Sequence, residues 1–311
     1  LRGNAYDRFL KPLVEKLKSF GARRFELLTS TMVTDLTLHP GTREVTHVHL
    51  IDGRGKPGLR RVQKLILAVP PERLTSLVDG NTLLRRHAPE LLGVRKLRSQ
   101  QMASLDLVFH GKLPGIPRDH VTLIDPVGNA RHRSGVSSKY GLSFIDNAQV
   151  WGLDKTFLNV VATDFEPLAG MPKEEAQKLI IAELRKYLSF ELRDIDWRRT
   201  FFQTHEEERL FVNTVGSWEF RPEIRPGQPG RAGAAIPNLQ LAGDYCRSKI
   251  DIVSVEGAVF TGILAARVVS QGAVAPPREP DKATREYYGR AKADLKRWVE
   301  VAANGGRIPP E

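Results

Sequence analysis

The 311-residue sequence contains a single cysteine, Cys246, and lacks any apolar run long enough to cross a lipid bilayer. One cysteine excludes an internal disulfide framework and is typical of proteins in a reducing compartment. The longest near-continuous apolar run, Leu65–Val69, has the length of a buried strand, whereas a membrane-spanning helix needs about 20 residues. The pattern of a secretory signal peptide is also missing. We therefore expect a cytoplasmic protein.

Patterns typical of hydrolases and zinc sites are absent as well. The chain has no Gly-x-Ser-x-Gly turn of the kind that presents a nucleophilic serine. His47 and His49 share one face of a predicted strand, but no third ligand follows nearby. His205 precedes a run of glutamates that lacks the second histidine of a zinc helix motif. We therefore predict neither a serine hydrolase nor a metal site.

The net charge is +11, with 47 Lys and Arg against 36 Asp and Glu. The basic residues are scattered and no nucleic-acid module accompanies them, which argues against nucleic-acid binding. Excess positive charge also favours contact with anionic lipid. The last predicted helix, residues 281–303, has an apolar stripe beside basic residues, the pattern of helices that lie on a membrane surface or on a partner. Packing of this helix on its own domain is the alternative.

The composition is that of a globular chain, with 41% apolar and 27% charged residues, and the length is sufficient for two domains. Apolar residues at helical spacing predict helices at Tyr6–Phe20, at Glu72–Val78 and after Pro172. Apolar and alternating stretches predict strands at Phe25–Leu28, Met32–Leu38, Val45–Ile51, Arg61–Val69, Met102–Phe109 and Phe157–Thr163. This mixture predicts an α/β fold.

A strand, a turn and a helix follow one another near the end of the sequence. The apolar strand Leu239–Ala242 leads to Gly243, which has no Cβ and lets the backbone approach a ligand closely. Asp244 follows at the carboxyl end of the strand, where ligands of open α/β sheets bind. A helix predicted at Ser254–Ser270 directs its free N–H groups and positive dipole end to the same place. The alternative is an ordinary buried strand–loop–helix unit in which Asp244 is a cap.

This segment resembles the C-terminal FAD motif of carotenoid desaturases and flavin amine oxidases, a Leu-Ala-Gly-Asp strand followed by Glu-Gly-Ala. The resemblance implies FAD as the cofactor, with Asp244 hydrogen-bonded to its ribityl and pyrophosphate region. It also implies that the helix N-terminus lies against the carbonyl edge of the flavin, where reduction places negative charge. The cofactor-binding residues that it implies are Gly243, Asp244, Tyr245, Val255, Glu256, Gly257 and Ala258.

The resemblance further implies a partial FAD-binding domain, Rossmann-like and three-layered, with an inserted α+β substrate domain. The expected segments are 1–80 for the FAD domain, 81–220 for the substrate domain, 221–275 for the segment that closes the FAD domain, and 276–311 for a linker and a C-terminal helix. The family begins with a strand and a Gly-x-Gly-x-x-Gly turn that opens a helix and holds the pyrophosphate, and no such unit is found here. We therefore expect a missing N-terminal segment, or else a second chain, to complete the FAD site.

An FAD-dependent oxidoreductase is the activity that the resemblance implies. The Gly-Asp form of the motif looks like desaturases, whereas amine oxidases more often have Gly-Glu, so the expected reaction is dehydrogenation of a lipophilic, isoprenoid or carotenoid-like substrate. A flavin amine oxidase and a non-catalytic partner subunit of a split flavoenzyme are the alternatives. Catalytic residues are not readable from the sequence. The candidate substrate contacts are Phe144, Trp151, Trp218 and Arg221, and core packing is the alternative for the aromatic ones.

Overall fold

The computed structural model describes residues 6–124, 138–212, 214, 216–226, 236–250 and 253–277, without the side chains of 205–208. Its α-helices in these ranges are α1 (Lys11–Lys18), which continues a π-helical turn at Tyr6–Leu10, α2 (Pro71–Gly80), α3 (Thr82–His87), α4 (Asn147–Trp151), α5 (Lys173–Leu184) and α6 (Val255–Val269). Short 3-10 helices lie at Pro89–Lys96, Glu166–Leu168, Leu192–Asp194 and Ser217–Phe220. The helix predicted at 281–303 lies outside the described residues.

An antiparallel sheet is formed by β1 (Thr31–Leu38), β2 (Val45–Asp52) and β3 (Pro57–Arg61). Leu36 lies opposite Val48, and both side chains are buried in the core. The side chains of β3 are exposed along its whole length. The sheet therefore covers the core with one face and presents the other, with its β3 edge, to solvent.

The turn between β2 and β3 is held by Asp52, whose Oδ1 accepts hydrogen bonds from the N–H groups of Arg54 and Lys56, both at 2.9 Å. Its glycines, at Gly53–Gly58, have the spacing of a dinucleotide-binding turn. That turn must join a strand to a helix so that the helix N-terminus meets the phosphates. Here it joins two antiparallel strands, so this segment is not a pyrophosphate site.

Two of the predicted strands are wrong. Arg61–Val69 is not one strand, because β3 ends at Arg61 and a separate strand, β4 (Leu65–Leu67), belongs to another sheet. The N–H of Leu65 donates to the carbonyl oxygen of Asn238 at 2.9 Å, which draws the chain away from the hairpin. Phe25–Leu28 has no strand partner and leaves Leu27 and Leu28 exposed, so its apolar pattern does not become a strand.

β4 pairs in parallel with β10 (Leu239–Leu241), and Asn238 connects this pair to the antiparallel sheet. The N–H of Val45 donates to Asn238 Oδ1 at 2.8 Å. Asn238 Nδ2 donates to the carbonyl oxygens of Val45 and Gln63 at 2.7 and 3.0 Å. Because Asn238 is buried, these bonds are shielded from water and fix the position at which β10 begins.

A second, five-stranded antiparallel sheet has the order β6-β7-β8-β5-β9. Its strands are β5 (Ser99–Val108), β6 (Val121–Thr122), β7 (Leu142–Asp146), β8 (Phe157–Ala162) and β9 (Phe201–Phe211). α5 contributes Ala176, Ile180 and Leu184 to the core of this sheet. β9 was not predicted, because a histidine and three glutamates at 205–208 interrupt its apolar pattern.

Two hydrophobic clusters form the core of this mixed α/β structure. The first combines β1, β2, α2 and neighbouring residues up to Leu97 with β10 and the residues that follow it. The second lies between Ala103 and Ile195 and includes the five-stranded sheet and α5. The end of β10 therefore belongs to a core that is assembled from both ends of the described chain.

Candidate functional site

β10 ends where the predicted motif begins, and the backbone of Gly243 there has a φ of +152°. A Cβ at Gly243 would lie 2.6 Å from Cε1 and 2.9 Å from Cδ1 of the Tyr245 ring. Such distances are too short for carbon atoms, so a side chain would displace Tyr245. The backbone φ and this ring both favour a glycine here, and close approach of a ligand to Gly243 stays a prediction.

The hydroxyl of Thr261, a fully buried residue of α6, holds the end of β10 against the helix. Its Oγ1 accepts a hydrogen bond from the N–H of Gly243 at 3.0 Å. It also lies 3.0 Å from the carbonyl oxygens of Gly243 and Ala258 and 3.1 Å from that of Gly257, and it donates its one proton among them. Sequence reasoning missed Thr261. The available signal was its place on one face with Gly257 and Ala265, the buried residues of α6.

The N-terminus of α6 is capped by Ser254, whose Oγ accepts a hydrogen bond from the N–H of Gly257 at 3.1 Å. The first N–H groups of a helix have no acceptor within it, and the positive end of the dipole lies among them. Val255 is 74% exposed and Glu256 is also exposed, whereas Gly257 is buried against β10. The first turn of α6 is therefore packed against β10 on the side of Gly257 and exposed to solvent on the side of Val255 and Glu256.

Asp244 lies half-buried between the end of β10 and the start of α6. Burial raises the pKa of its carboxyl group above the ordinary value, while the backbone N–H groups of Asp244 and Tyr245 and the guanidinium of Arg221 act to lower it. The carboxylate form accepts hydrogen bonds only. This form is therefore lost at a higher pH than in an exposed aspartate.

Tyr245 and Cys246 are buried in the first core cluster. Burial raises the pKa of the Tyr245 hydroxyl well above its ordinary value and that of the Cys246 thiol to about 12. Within the described residues, the hydroxyl of Tyr245 and Oε1 of Glu72 are buried without a hydrogen-bond partner. Tyr245 thus packs under Gly243 as a core residue, and its contact with a cofactor stays a prediction.

We expect Cys246 to resist a thiol reagent such as DTNB in the folded chain and to react fully after denaturation, because a neutral buried thiol is a poor nucleophile. The thiol pKa rises from 9.0 to about 12 on folding, so its stabilising contribution is complete below pH 9.0 and is lost as the pH rises toward 12. Cys246→Ala should flatten the loss of stability across this range in alkaline unfolding. Rapid labelling of the folded chain at about pH 8 would contradict this account.

The segment before β10 brings Trp218 and Arg221 to the motif. Arg247, which follows the motif, donates through Nε to the carbonyl oxygen of Trp218 at 3.1 Å and through Nη2 to that of Glu219 at 2.8 Å. The N–H of Arg247 donates to the carbonyl oxygen of Pro222 at 2.9 Å. These bonds join the segment around Trp218 to the loop that leaves β10.

Trp218 lines an open groove of about 580 Å³ beside α6. Ile224, Phe260 and Leu264 supply its apolar wall, and Arg247 and Lys249 are its cationic residues. Phe144 and Trp151 lie elsewhere: Phe144 is buried in the second core cluster, and Trp151 packs edge-on against Phe157 at 5.5 Å. Of the predicted substrate contacts, Trp218 and Arg221 are therefore the two that lie beside the motif.

Within the described ranges, no group of three or more His, Cys, Asp or Glu side chains is arranged to hold a metal ion. No described helix combines the length and the apolarity that a bilayer crossing requires.

The residues at the end of β10 fit the ribityl and isoalloxazine part of FAD. A half-buried carboxylate suits hydroxyl donors, and an open helix N-terminus suits an edge that becomes negative on reduction. Thr261 keeps the carboxylate-bearing loop next to the helix N-terminus by bonding Gly243 to the first turn of α6. A Gly-x-Gly-x-x-Gly turn that joins a parallel strand to a helix, which would suit the pyrophosphate, is not found among the described residues.

Comparison with known proteins gives one family. The sequence profile of flavin containing amine oxidoreductases matches residues 7–270. No curated protein matches the chain significantly.

Similar solved structures include an oxidoreductase from Methanosarcina mazei, with 13% identity, a TM-score of 0.46, and coverage of 78% of this chain and 48% of that one. Cyclohexylamine oxidase from Brevibacterium oxydans has 12% identity and a TM-score of 0.44, over 82% of this chain and 51% of that one. A myxobacterial chondrochloren halogenase, a variant of FAD-dependent halogenases, has 11% identity and a TM-score of 0.38, over 88% of this chain and 53% of that one. The chain spans about half the length of these proteins.

Proposed function

The chain belongs to the family of flavin containing amine oxidoreductases, and from this premise we propose that it forms part of an FAD-dependent enzyme that removes hydrogen from a lipophilic substrate. Membership confirms the family predicted from the motif and, with it, FAD as the cofactor of this class of oxidoreductases. The observation that carries the proposal is the junction of Asp244 with the N-terminus of α6, held together through Thr261.

In this proposal Asp244 accepts hydrogen bonds from the ribityl hydroxyls, and the first turn of α6, from Val255 to Ala258, lies along the carbonyl edge of the flavin. FAD supplies the acceptor for the hydride that leaves the substrate. The positive end of the α6 dipole stabilises negative charge at that edge. Thr261 holds the end of the strand against this end of the helix, and Ser254 caps the helix N-terminus.

The substrate proposed is an isoprenoid or carotenoid-like hydrocarbon. Asp244 in the Gly-Asp form of the motif supports it, and so does the apolar groove that Trp218, Phe260 and Leu264 line beside α6. An apolar wall of this kind binds a hydrocarbon by removing both surfaces from water.

The proposed domain organisation is an FAD-binding, Rossmann-like domain made of residues 1–80 and 221–275, with a substrate domain inserted at 81–220. The separate core clusters support a division into two units, with residues up to Leu97 and Phe211 packing in the cluster of β10 and the second cluster lying between Ala103 and Ile195. The parallel pairing of β4 with β10 supports a shared sheet for the two FAD segments.

A flavin amine oxidase is the second candidate, and the family description favours it. The two reactions differ in product, so one experiment separates them. In the assembly that binds flavin, amines are tested for peroxide release, and a polyene precursor is tested for loss of hydrogen by its absorption spectrum. Turnover of the polyene supports the first proposal, and peroxide from amines replaces it with the second. A purified assembly without flavin absorption bands would favour the third reading, a non-catalytic partner subunit.

The proposed partner is a polypeptide segment, on this chain or another, that carries the pyrophosphate turn. We expect the 311-residue chain alone to bind FAD weakly, because nothing in its described residues holds the pyrophosphate. Titration of FAD with detection by flavin fluorescence measures this affinity. Tight binding at one FAD per chain would contradict the expectation. Contact with an anionic membrane surface, supported by the net charge of +11, is a further proposal.

A further inference from the structure

Arg221 is a buried cation. Its side chain is 2% exposed, and its Cζ lies 5.1 Å from the centre of the Phe211 ring and 5.7 Å from that of Trp218. Removing a guanidinium from water costs several kcal/mol, which is offset only when nearby groups stabilise the charge. Two ring faces contribute part of this stabilisation and fix the plane of the guanidinium. Arg221 is therefore a charge of defined position.

The backbone next to Arg221 runs alongside the motif. The N–H of Leu241 donates to the carbonyl oxygen of Ile224 at 2.7 Å, and the N–H of Arg247 donates to that of Pro222 at 2.9 Å. Arg221 is thus connected to both ends of the loop that carries Asp244. A group in this position is too buried to meet a substrate, but it acts on the loop from inside the protein.

Charges from α2 and from the segment before β10 act on the loop that carries Asp244. Arg221 favours the ionised form of Asp244 and also of Cys246. Tyr245 and Cys246 are held neutral by burial, as their raised pKa values show. Two acids act on the neighbouring residues, since Glu72 helps to raise the pKa of the Tyr245 hydroxyl and Glu223 that of the Cys246 thiol. Glu223 is itself paired with Arg247 at 3.4 Å.

We propose that Arg221 is a positioning residue for Asp244, a fixed counter-charge that keeps the half-buried carboxylate ionised and ready to accept hydrogen bonds from flavin hydroxyls. This inference rests on the proposed function for the identity of the donor. This positioning role takes the place of the substrate contact proposed for Arg221 from the sequence, because the guanidinium lies in the core near two aromatic rings.

The first test uses the full 311-residue chain without flavin. The carboxyl band of Asp244 is identified by infrared difference against Asp244→Asn and titrated in wild type, Arg221→Met and Arg221→Lys. Arg221→Met keeps the length of the side chain without its charge and should move the titration of Asp244 to higher pH. Arg221→Lys should restore most of the wild-type titration. Arg225→Met is the control, since Arg225 belongs to the same segment but is exposed, and it should leave the titration unchanged.

The second test measures FAD affinity in the assembly that binds flavin. Relative to wild type, Arg221→Met should weaken FAD binding about tenfold at the acidic end of the pH range in which the assembly is stable, and much less at about pH 8, because the uncharged variant protonates the Asp244 carboxylate at a higher pH. If Arg221→Met fails to fold, Arg221→Gln gives the same comparison, with Arg221→Lys as the charged reference.

An unchanged Asp244 titration in a folded, uncharged Arg221 variant would overturn the inference, whatever happens to flavin. A shifted titration with FAD affinity that is independent of pH in every variant supports the role of Arg221 but overturns the proposed flavin contact of Asp244. The failure of the inference and the failure of the proposed function are thereby distinguished.

Discussion

Replacing Asp244 with alanine is expected to lower the affinity for FAD by about one to two decades in the assembly that binds it. A charge-assisted hydrogen bond from a flavin hydroxyl to a carboxylate contributes roughly 1.5–3 kcal/mol, which corresponds to that change in dissociation constant. Asp244 is half-buried, so bulk water screens this bond only in part. Flavin retained after desalting, and a fluorescence titration where retention is partial, measure the loss.

Glu256→Gln is the matched control for Asp244→Ala. Glu256 is the other carboxylate of the motif, but it is exposed in the first turn of α6 and favours the helix dipole by about 0.3–1 kcal/mol. Its substitution should lower the melting temperature slightly and weaken flavin binding much less than Asp244→Ala does. A folded Asp244→Ala variant that keeps its flavin as well as wild type would show that this carboxylate does not hold the ribityl chain.

Replacing Thr261 with valine is expected to weaken both the fold and the flavin site. Valine has nearly the same shape but no hydroxyl, so the part-buried N–H of Gly243 loses its acceptor. A buried donor left without a partner costs about 1–3 kcal/mol. The end of β10 would also be free to move relative to the first turn of α6, and flavin affinity should fall by more than the loss of stability alone explains.

Thr261→Ser separates the hydroxyl from the methyl group. Serine retains the hydroxyl and should keep the flavin, at a cost in stability near that of one buried methyl group, about 1 kcal/mol. Urea unfolding followed by flavin retention measures both quantities. Equal flavin retention in the folded valine and serine variants would mean that the bond to Gly243 does not position the site.

The local parts of the site were predictable from the sequence. The strand predicted at Leu239–Ala242 and the helix predicted at Ser254–Ser270 end within one residue of β10 and α6. Apolar pattern and capping residues determine such elements over short distances, and Ser254 is an observed cap. The family followed from the same short segment, because its glycine, aspartate and helix start have a physical role together.

The non-local parts were not predictable. Nothing in the sequence around Arg221 indicates that Phe211 and Trp218 enclose it, since that arrangement depends on how β9 enters the core. Gly243 was assigned to close approach of a ligand, and its contact with the Tyr245 ring was missed. The sequence does not show that the ring turns back onto the backbone of Gly243. The mistaken strand Arg61–Val69 has the same origin: its second half pairs with β10, far along the chain.

The bonds of Asn238 have a consequence for how the protein is made. Asn238 bonds to Val45 across 193 residues. In an unfolded chain, closing a loop of this length has an entropic free-energy cost of about 5 kcal/mol. At roughly 5–20 residues per second, a ribosome needs about 10–40 s to synthesise the intervening segment. During that time β4 lacks β10, its parallel partner in the described part of the chain, while most strands of the five-stranded sheet have been synthesised. Synthesis therefore completes the cofactor motif and its supporting core late, and until then the apolar residues of the first cluster are available to chaperones.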